Sequence, residues 1–136
     1  MSYITAMFHQ VRVPKEDSDS LRFLWTDDIS SDTEPYVMQM LVHIFGAKDS
    51  PTCANYAVKR TARDNQHLFD PLTFETALKA FYVDDLLKSV DSEAVAITLS
   101  KELIKIMKCG GFDLTKFMGN CQAVLESLCN ISKDKT

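Results

Sequence analysis

The run Phe81-Tyr82-Val83-Asp84-Asp85-Leu86-Leu87 constrains this chain more than any other stretch, because it reads as a strand, a tight turn and a return strand. It also decides where Asp84 goes: in or beside the turn, at the exposed tip of a rigid element. With Asp85 next to it, two carboxylates offer the oxygen ligands that a divalent cation prefers. Asp-Asp is also ordinary turn chemistry, since such side chains bond nearby backbone. The tetrapeptide Tyr82-Val83-Asp84-Asp85 is rarer and would arise by chance in about one chain in a thousand of this length, so its weight rests on the segments around it.

Those segments alternate between strand and helix signals. Residues 4–13 carry β-branched and aromatic side chains and predict strand flanking a short turn near Met7 and Phe8. Residues 14–20 are a polar break, and 21–25 and 36–44 read as two strands joined by a loop rich in turn formers. Asp27-Asp28 in that loop is a second acidic pair, but it lacks a rigid apolar frame and is expected to be solvated turn chemistry. Ser50-Pro51 marks a helix start, with serine as cap and proline at the first helical position, and the helix is expected to run to about Asp64. Ala54, Ala57, Val58 and Thr61 form its small-residue face. Residues 64–71 read as a connection. A second helix is expected over about 92–109, capped by Asp91 or Ser89, with Val95, Leu99, Leu103, Ile106 and Met107 as its apolar stripe and Gly110-Gly111 as its exit. Residues 112–117 then read as strand, 123–128 as an amphipathic stretch, and 132–136 as a frayed polar tail. The order predicts an α+β fold, an antiparallel sheet with helices packed on one face.

Composition sets limits without choosing a function. A chain of 136 residues, 46% hydrophobic and 25% charged, suits one globular core. The net charge of -4 argues against a domain that grips nucleic acid tightly by itself, which ordinarily takes a basic surface. Cys53, Cys109, Cys121 and Cys129 show no paired metal-ligand spacing and no secretory segment precedes them, so a reduced, cytoplasmic setting is expected. Cys53 and Cys109 fall in or at the end of helices, where packing outweighs zinc or redox work. His9, His43 and His67 are scattered and read as surface or packing residues. No apolar stretch is long enough to span a bilayer, so no membrane partner is expected.

The acidic hairpin with Phe81 ahead of it resembles the catalytic hairpin of reverse transcriptases, and three more segments resemble that family in the same order. They are Met7-Phe8-His9-Gln10-Val11-Arg12-Val13, then Phe45-Gly46-Ala47-Lys48-Asp49-Ser50-Pro51-Thr52-Cys53-Ala54-Asn55, and Gly110-Gly111-Phe112-Asp113-Leu114-Thr115-Lys116-Phe117. The match is to the polymerase of Bel/Pao-type LTR retrotransposons, and it extends from Met7 to about Asn120. The resemblance implies a partial polymerase palm over residues 1–120, with 121–136 a partly helical extension. It implies an RNA-directed DNA polymerase that adds deoxynucleotides to a primer on an RNA or DNA template, by two-metal nucleotidyl transfer with Mg2+ or Mn2+. Asp84 and Asp85 would be the metal ligands and catalytic pair, Asp84 the firmer of the two. Tyr82 would sit beneath the primer end, and Phe8 would block a ribose 2′-hydroxyl, although its residue type fits a core phenylalanine nearly as well. Gly46 would lie beside templating base and nucleotide, where backbone must come close to a ligand, and Lys116 would stand near the leaving phosphate.

One position departs from the pattern. The family's first catalytic aspartate is expected five residues before Phe8, where this chain has Tyr3, and a neutral phenol offers neither the charge nor the bridging oxygens that two ions need. Fingers, thumb and RNase H regions are also missing. The expectation is a fragment inactive alone, either cut or mispredicted at its first six residues or decayed. The alternative is a non-catalytic nucleic-acid-binding or protein-interaction module derived from a polymerase palm.

Overall fold

The computed structural model describes residues 1–30 and 32–132. Its central feature is a four-stranded antiparallel sheet in the order β4-β5-β1-β6, built from β1 (Ser2–Ile4), β4 (Phe81–Tyr82), β5 (Asp85–Leu86) and β6 (Leu114–Thr115). The strands are short, and alternation decides their faces. Ser2, Ile4, Leu86 and Leu114 are buried toward the helices, while Tyr3, Tyr82, Asp85 and Thr115 are not.

Three long helices cover the inner face: α2 (Ser50–Asn65), α3 (Pro71–Lys79) and α4 (Glu93–Cys109). The core joins Ile4, Leu86 and Leu114 of the sheet to Ala54, Val58 and Ala62 of α2, Ala77 of α3, and Leu99, Leu103, Ile106 and Met107 of α4. Each large side chain fully buried there contributes roughly 1.5–3 kcal/mol relative to exposure. The fold is α+β, as expected, with the helices on one face of an antiparallel sheet. A further helix, α5 (Gln122–Ser132), packs on α4 and buries Leu128. Of the predicted frayed tail, residues 133–136 lie outside the described residues.

Several local expectations are corrected. Residues 4–13 hold only the end of β1, followed by a 3-10 turn over Met7–Gln10; Ala6 enters that turn at φ 48, which breaks the strand. The polar break contains a single helical turn, α1 (Lys15–Ser18). The two following strands are shorter than predicted, β2 (Arg22–Trp25) and β3 (Tyr36–Gln39), and pair with each other in a separate two-stranded ribbon. The Ser50 hydroxyl caps nothing; it donates to the Ile44 carbonyl at 2.7 Å and ties the preceding loop to α2. On α4 the cap is Ser92, whose hydroxyl accepts from the Val95 amide at 3.3 Å, and Val95 itself is exposed. The helix α3 was not expected at all. Its N-terminus is held by Asp70, which accepts from the Leu72 amide at 2.9 Å, with Pro71 in the first turn.

Candidate functional site

The hairpin forms as the sequence suggests: Phe81 pairs with Leu86 and Tyr82 with Asp85, leaving Val83 and Asp84 as the turn. Val83 sits at φ 54, a left-handed conformation that a β-branched residue adopts only under strain. The turn is anchored from outside, because the Ile4 amide donates to the Asp84 carbonyl at 2.8 Å. That bond continues the ladder between β1 and β5, in which Tyr3 faces Asp85. On its other edge Tyr3 faces Thr115 of β6. Directly paired residues project from the same face. The outer face of the sheet therefore carries one row across all four strands: Tyr82, Asp85, Tyr3, Thr115.

Around that row the polar groups are unevenly satisfied. The Asp84 and Asp85 carboxylates are half-buried and make no hydrogen bond or ion pair among the described residues. Lys116 lies with its ammonium 4.8 Å from the centre of the Tyr3 ring, a cation–π contact. The same ammonium, first among the causes, pulls the Tyr3 phenol below its usual value, aided by the Thr5 and Thr115 hydroxyls and opposed by partial desolvation. Thr5 and Thr115 in turn bond each other at 2.7 Å. Lys116, like Val83 and Ala6, has a positive φ, 50 in its case. Among the described residues, the three non-glycine residues with positive φ thus lie beside β1 or its neighbours, where strained backbone is a pointer to a site.

The other expected site residues lie nearby in sequence but differ in setting. Phe8 is in the core at 8% exposure, with its ring 5.0 Å from that of the exposed Phe45. His9 meets Phe45 edge-on at 5.8 Å. Gly46 follows with φ 88, and a Cβ there would meet nothing within 4 Å; it is conformation, and not close approach of protein atoms, that calls for glycine. Tyr82 is 77% exposed at the sheet edge. Hence Tyr3, Tyr82, Asp85 and Lys116 share the outer face, while Phe8 and Gly46 are joined through Phe45 at the start of the loop that leads into α2.

Asp84 and Asp85 could offer a divalent cation two ligands, since their unpartnered carboxylates suit an oxygen-preferring ion. Among the described residues no third His, Cys, Asp or Glu joins them at ligating distance. Where a third carboxylate would be useful, the sheet presents the Tyr3 phenol. The second acidic pair behaves as turn chemistry. Asp28 accepts from the Ser30 amide at 2.8 Å and hydroxyl at 2.6 Å, bonds that hold its carboxyl below the usual range, and Asp27 accepts from Trp25 Nε1 at 3.2 Å and the Tyr36 hydroxyl at 3.1 Å.

Sequence reasoning missed one grouping. His43, Asp49 and Cys53 come together at the mouth of α2, although their spacing matches no familiar ligand pattern. A cavity of about 710 Å³ also opens on the helix side of the sheet, between Leu86, Leu99, Leu103, Phe117 and Leu125, away from the face that carries Asp85. No helix among the described residues is long and apolar enough to cross a membrane. The chain matches no family model, and comparison with curated proteins finds no match.

Proposed function

We propose that the chain is the palm portion of a reverse transcriptase of the Bel/Pao-type LTR retrotransposon kind, with a metal site at Asp84 and Asp85 that is incomplete for catalysis. The observation that carries this reading is the register of β1 against β5. The position at which the resemblance expects the first carboxylate is occupied by Tyr3, and Tyr3 is paired with Asp85. A first aspartate and an acidic hairpin must be neighbours for two ions to share them. Sequence spacing alone does not require that pairing. Further support comes from the unpartnered state of both hairpin carboxylates and from the strained turn that presents them.

In this reading Asp84 and Asp85 hold Mg2+ or Mn2+, which when bound would neutralise phosphate charge and align the reacting oxygens. Tyr82, exposed at the sheet edge, supports the primer end. Phe8 shapes the sugar pocket from behind Phe45, the Phe45-Gly46 turn flanks the nucleotide, and Lys116 meets phosphate. The template-primer and deoxynucleotides would be held with help from fingers, thumb and RNase H regions. Tyr3 leaves the ions without their bridging carboxylate and draws Lys116 onto its own ring.

Two measurements test this. Purified chain with primer, template, Mg2+ and deoxynucleotides is expected to extend nothing; robust extension that Asp84→Asn abolishes would show the site to be complete after all. Mn2+ is expected to broaden the amide resonances of residues 83–86, and more strongly in Tyr3→Asp, which restores a carboxylate beside Asp85. Resonances untouched in both proteins would sink the metal-site reading. They would favour the second one, a non-catalytic interaction module derived from a palm, for which the exposed apolar β2–β3 ribbon is the supporting feature.

A further inference from the structure

We propose that His43, Asp49 and Cys53 form a zinc-binding site that clamps the Phe45-Gly46 turn to the start of α2, a site that does not depend on the polymerase reading. One ligating atom from each of the three lies within 4.8 Å of the other two. The residues bracket the turn: His43 stands before it, Asp49 just before α2, and Cys53 within the first turn of the helix.

Geometry distinguishes a cation site from a catalytic relay. In a nucleophile–base–acid relay the thiol and the carboxylate engage opposite nitrogens of the imidazole, and the ring keeps them apart. Here all three donor atoms converge, each close to both of the others, as ligands of a shared ion do. Tetrahedral zinc, with bonds of about 2.0–2.3 Å, holds its ligand atoms roughly 3.3–3.7 Å apart. The three donors must therefore close by about an ångström, a movement within reach of side-chain rotation at the exposed Asp49 and half-buried Cys53.

The surroundings favour the same outcome. Asp49 stands at the N-cap of α2, yet its side chain accepts no capping bond from the helix amides. Its carboxylate is thus not committed to the usual task of that position. His43 is buried, 8% exposed, and its Nδ1 lies 3.4 Å from the Ser50 hydroxyl. The single Ser50 proton goes to the Ile44 carbonyl at 2.7 Å, so toward His43 this oxygen can only accept. That assigns the ring proton to Nδ1 and the lone pair to Nε2, the arrangement in which an outer hydrogen bond orients a metal-bound histidine. One thiolate, one imidazole and one carboxylate are a borderline-soft set, suited to Zn2+ and foreign to the all-oxygen shell of Mg2+. A fourth position is left for water.

The test uses the whole chain and two probes, Zn2+ itself and Co2+ as its spectroscopic stand-in. Co2+ is expected to bind one per chain, with thiolate charge-transfer absorption and the intense visible bands of tetrahedral coordination, and Zn2+ is expected to displace it. Zn2+ is expected to raise Tm, reversibly on chelation. Cys53→Ser, close in size, should lose the charge-transfer band. Asp49→Asn, at an exposed position, and Ser50→Ala, which removes the hydroxyl that positions His43 and ties Ile44 to α2, should each weaken Zn2+ about 10–100-fold. A charge-transfer band that survives Cys53→Ser would assign the metal to the other cysteines and overturn the proposal. So would equal affinity in the wild type and Asp49→Asn, or no binding in a folded wild type.

Discussion

Tyr3 shows at the scale of one residue how a phenol on a sheet face is accommodated by its neighbours. A phenol between Asp85 and Thr115 cannot carry a carboxylate's charge at neutral pH, but it can offer a ring face to Lys116 and hydroxyl contacts to Thr5 and Thr115. The ammonium favours the phenolate, so the titration moves down from the ordinary 10.0. A group depressed in the folded state adds stability above its unfolded value, and that contribution is lost as pH falls through the folded value. The effect is therefore confined to alkaline solution and is silent at neutral pH. Tyr3 is expected to titrate before Tyr36, because desolvation and the Asp27 carboxylate both oppose ionisation of Tyr36. Spectrophotometric titration checks the order, and Lys116→Met should move Tyr3 back up; an unmoved early tyrosine would refute the assignment. The Tyr3–Asp85 pairing itself was not legible from spacing, because it joins distant segments, and only the family resemblance pointed to position 3. His43, Asp49 and Cys53 were illegible for a related reason: a fold, and no repeat of spacing, brings them together.

Among elements, the contact of α4 with α2 turns on Gly110. A Cβ at this residue would come within 2.7 Å of Thr61 Cγ2 and 2.9 Å of Thr61 Cβ, so the helix end approaches α2 closely enough to need glycine. Gly111 next to it has φ 80 and open space, which is a conformational demand instead. Gly110→Ala is expected to cost about 1–3 kcal/mol through overpacking, and Gly111→Ala about 1 kcal/mol through backbone strain. Denaturant unfolding checks both, and Thr61→Ala, which removes Cγ2 and the hydroxyl but keeps Cβ, should relieve part of the first and none of the second. The sequence reading described α4 well because its buried residues are apolar and recur with helical period. It missed α3 because the fully buried positions there are Thr73, Thr76 and Ala77, and the apolar Leu72, Phe74 and Leu78 beside them are only half-buried and span barely two turns. Thr73 anchors the buried face, its Oγ1 donating to Glu102 at 2.5 Å, while the Thr76 hydroxyl is buried without a partner among the described residues. The sign that would have revealed α3 was Asp70-Pro71, the same kind of start signal used for α2.

For the whole molecule, the uneven distribution of apolar surface matters most. The sheet and helices share one core, whereas the β2–β3 ribbon exposes Leu24 at 70%, Trp25 at 50%, and Phe23, Val37 and Met38 besides. A two-stranded ribbon is marginal in water by itself. This one is moored at its base, where Gln39 donates to the Ser18 hydroxyl at 2.6 Å and the Met40 amide to the Leu21 carbonyl at 3.0 Å. Amides of β2 and β3 are expected to exchange with deuterium well before those of α2 and α4, while Trp25, the single tryptophan, should emit as a water-exposed indole. Equal protection of ribbon and helices would mean that the ribbon is covered in solution.

The place of β1 between β5 and β6 has a consequence for how the molecule is made. Thr5 and Thr115 bond across 110 residues of chain, and the β1 backbone finds its ladder partners at Asp84, Asp85, Leu86, Leu114 and Thr115. On the ribosome, the strand that completes the sheet emerges long before anything it can pair with. Closure must therefore wait until residues 114–115 have emerged, leaving Ile4 and its neighbours open to chaperones while the intervening chain is made.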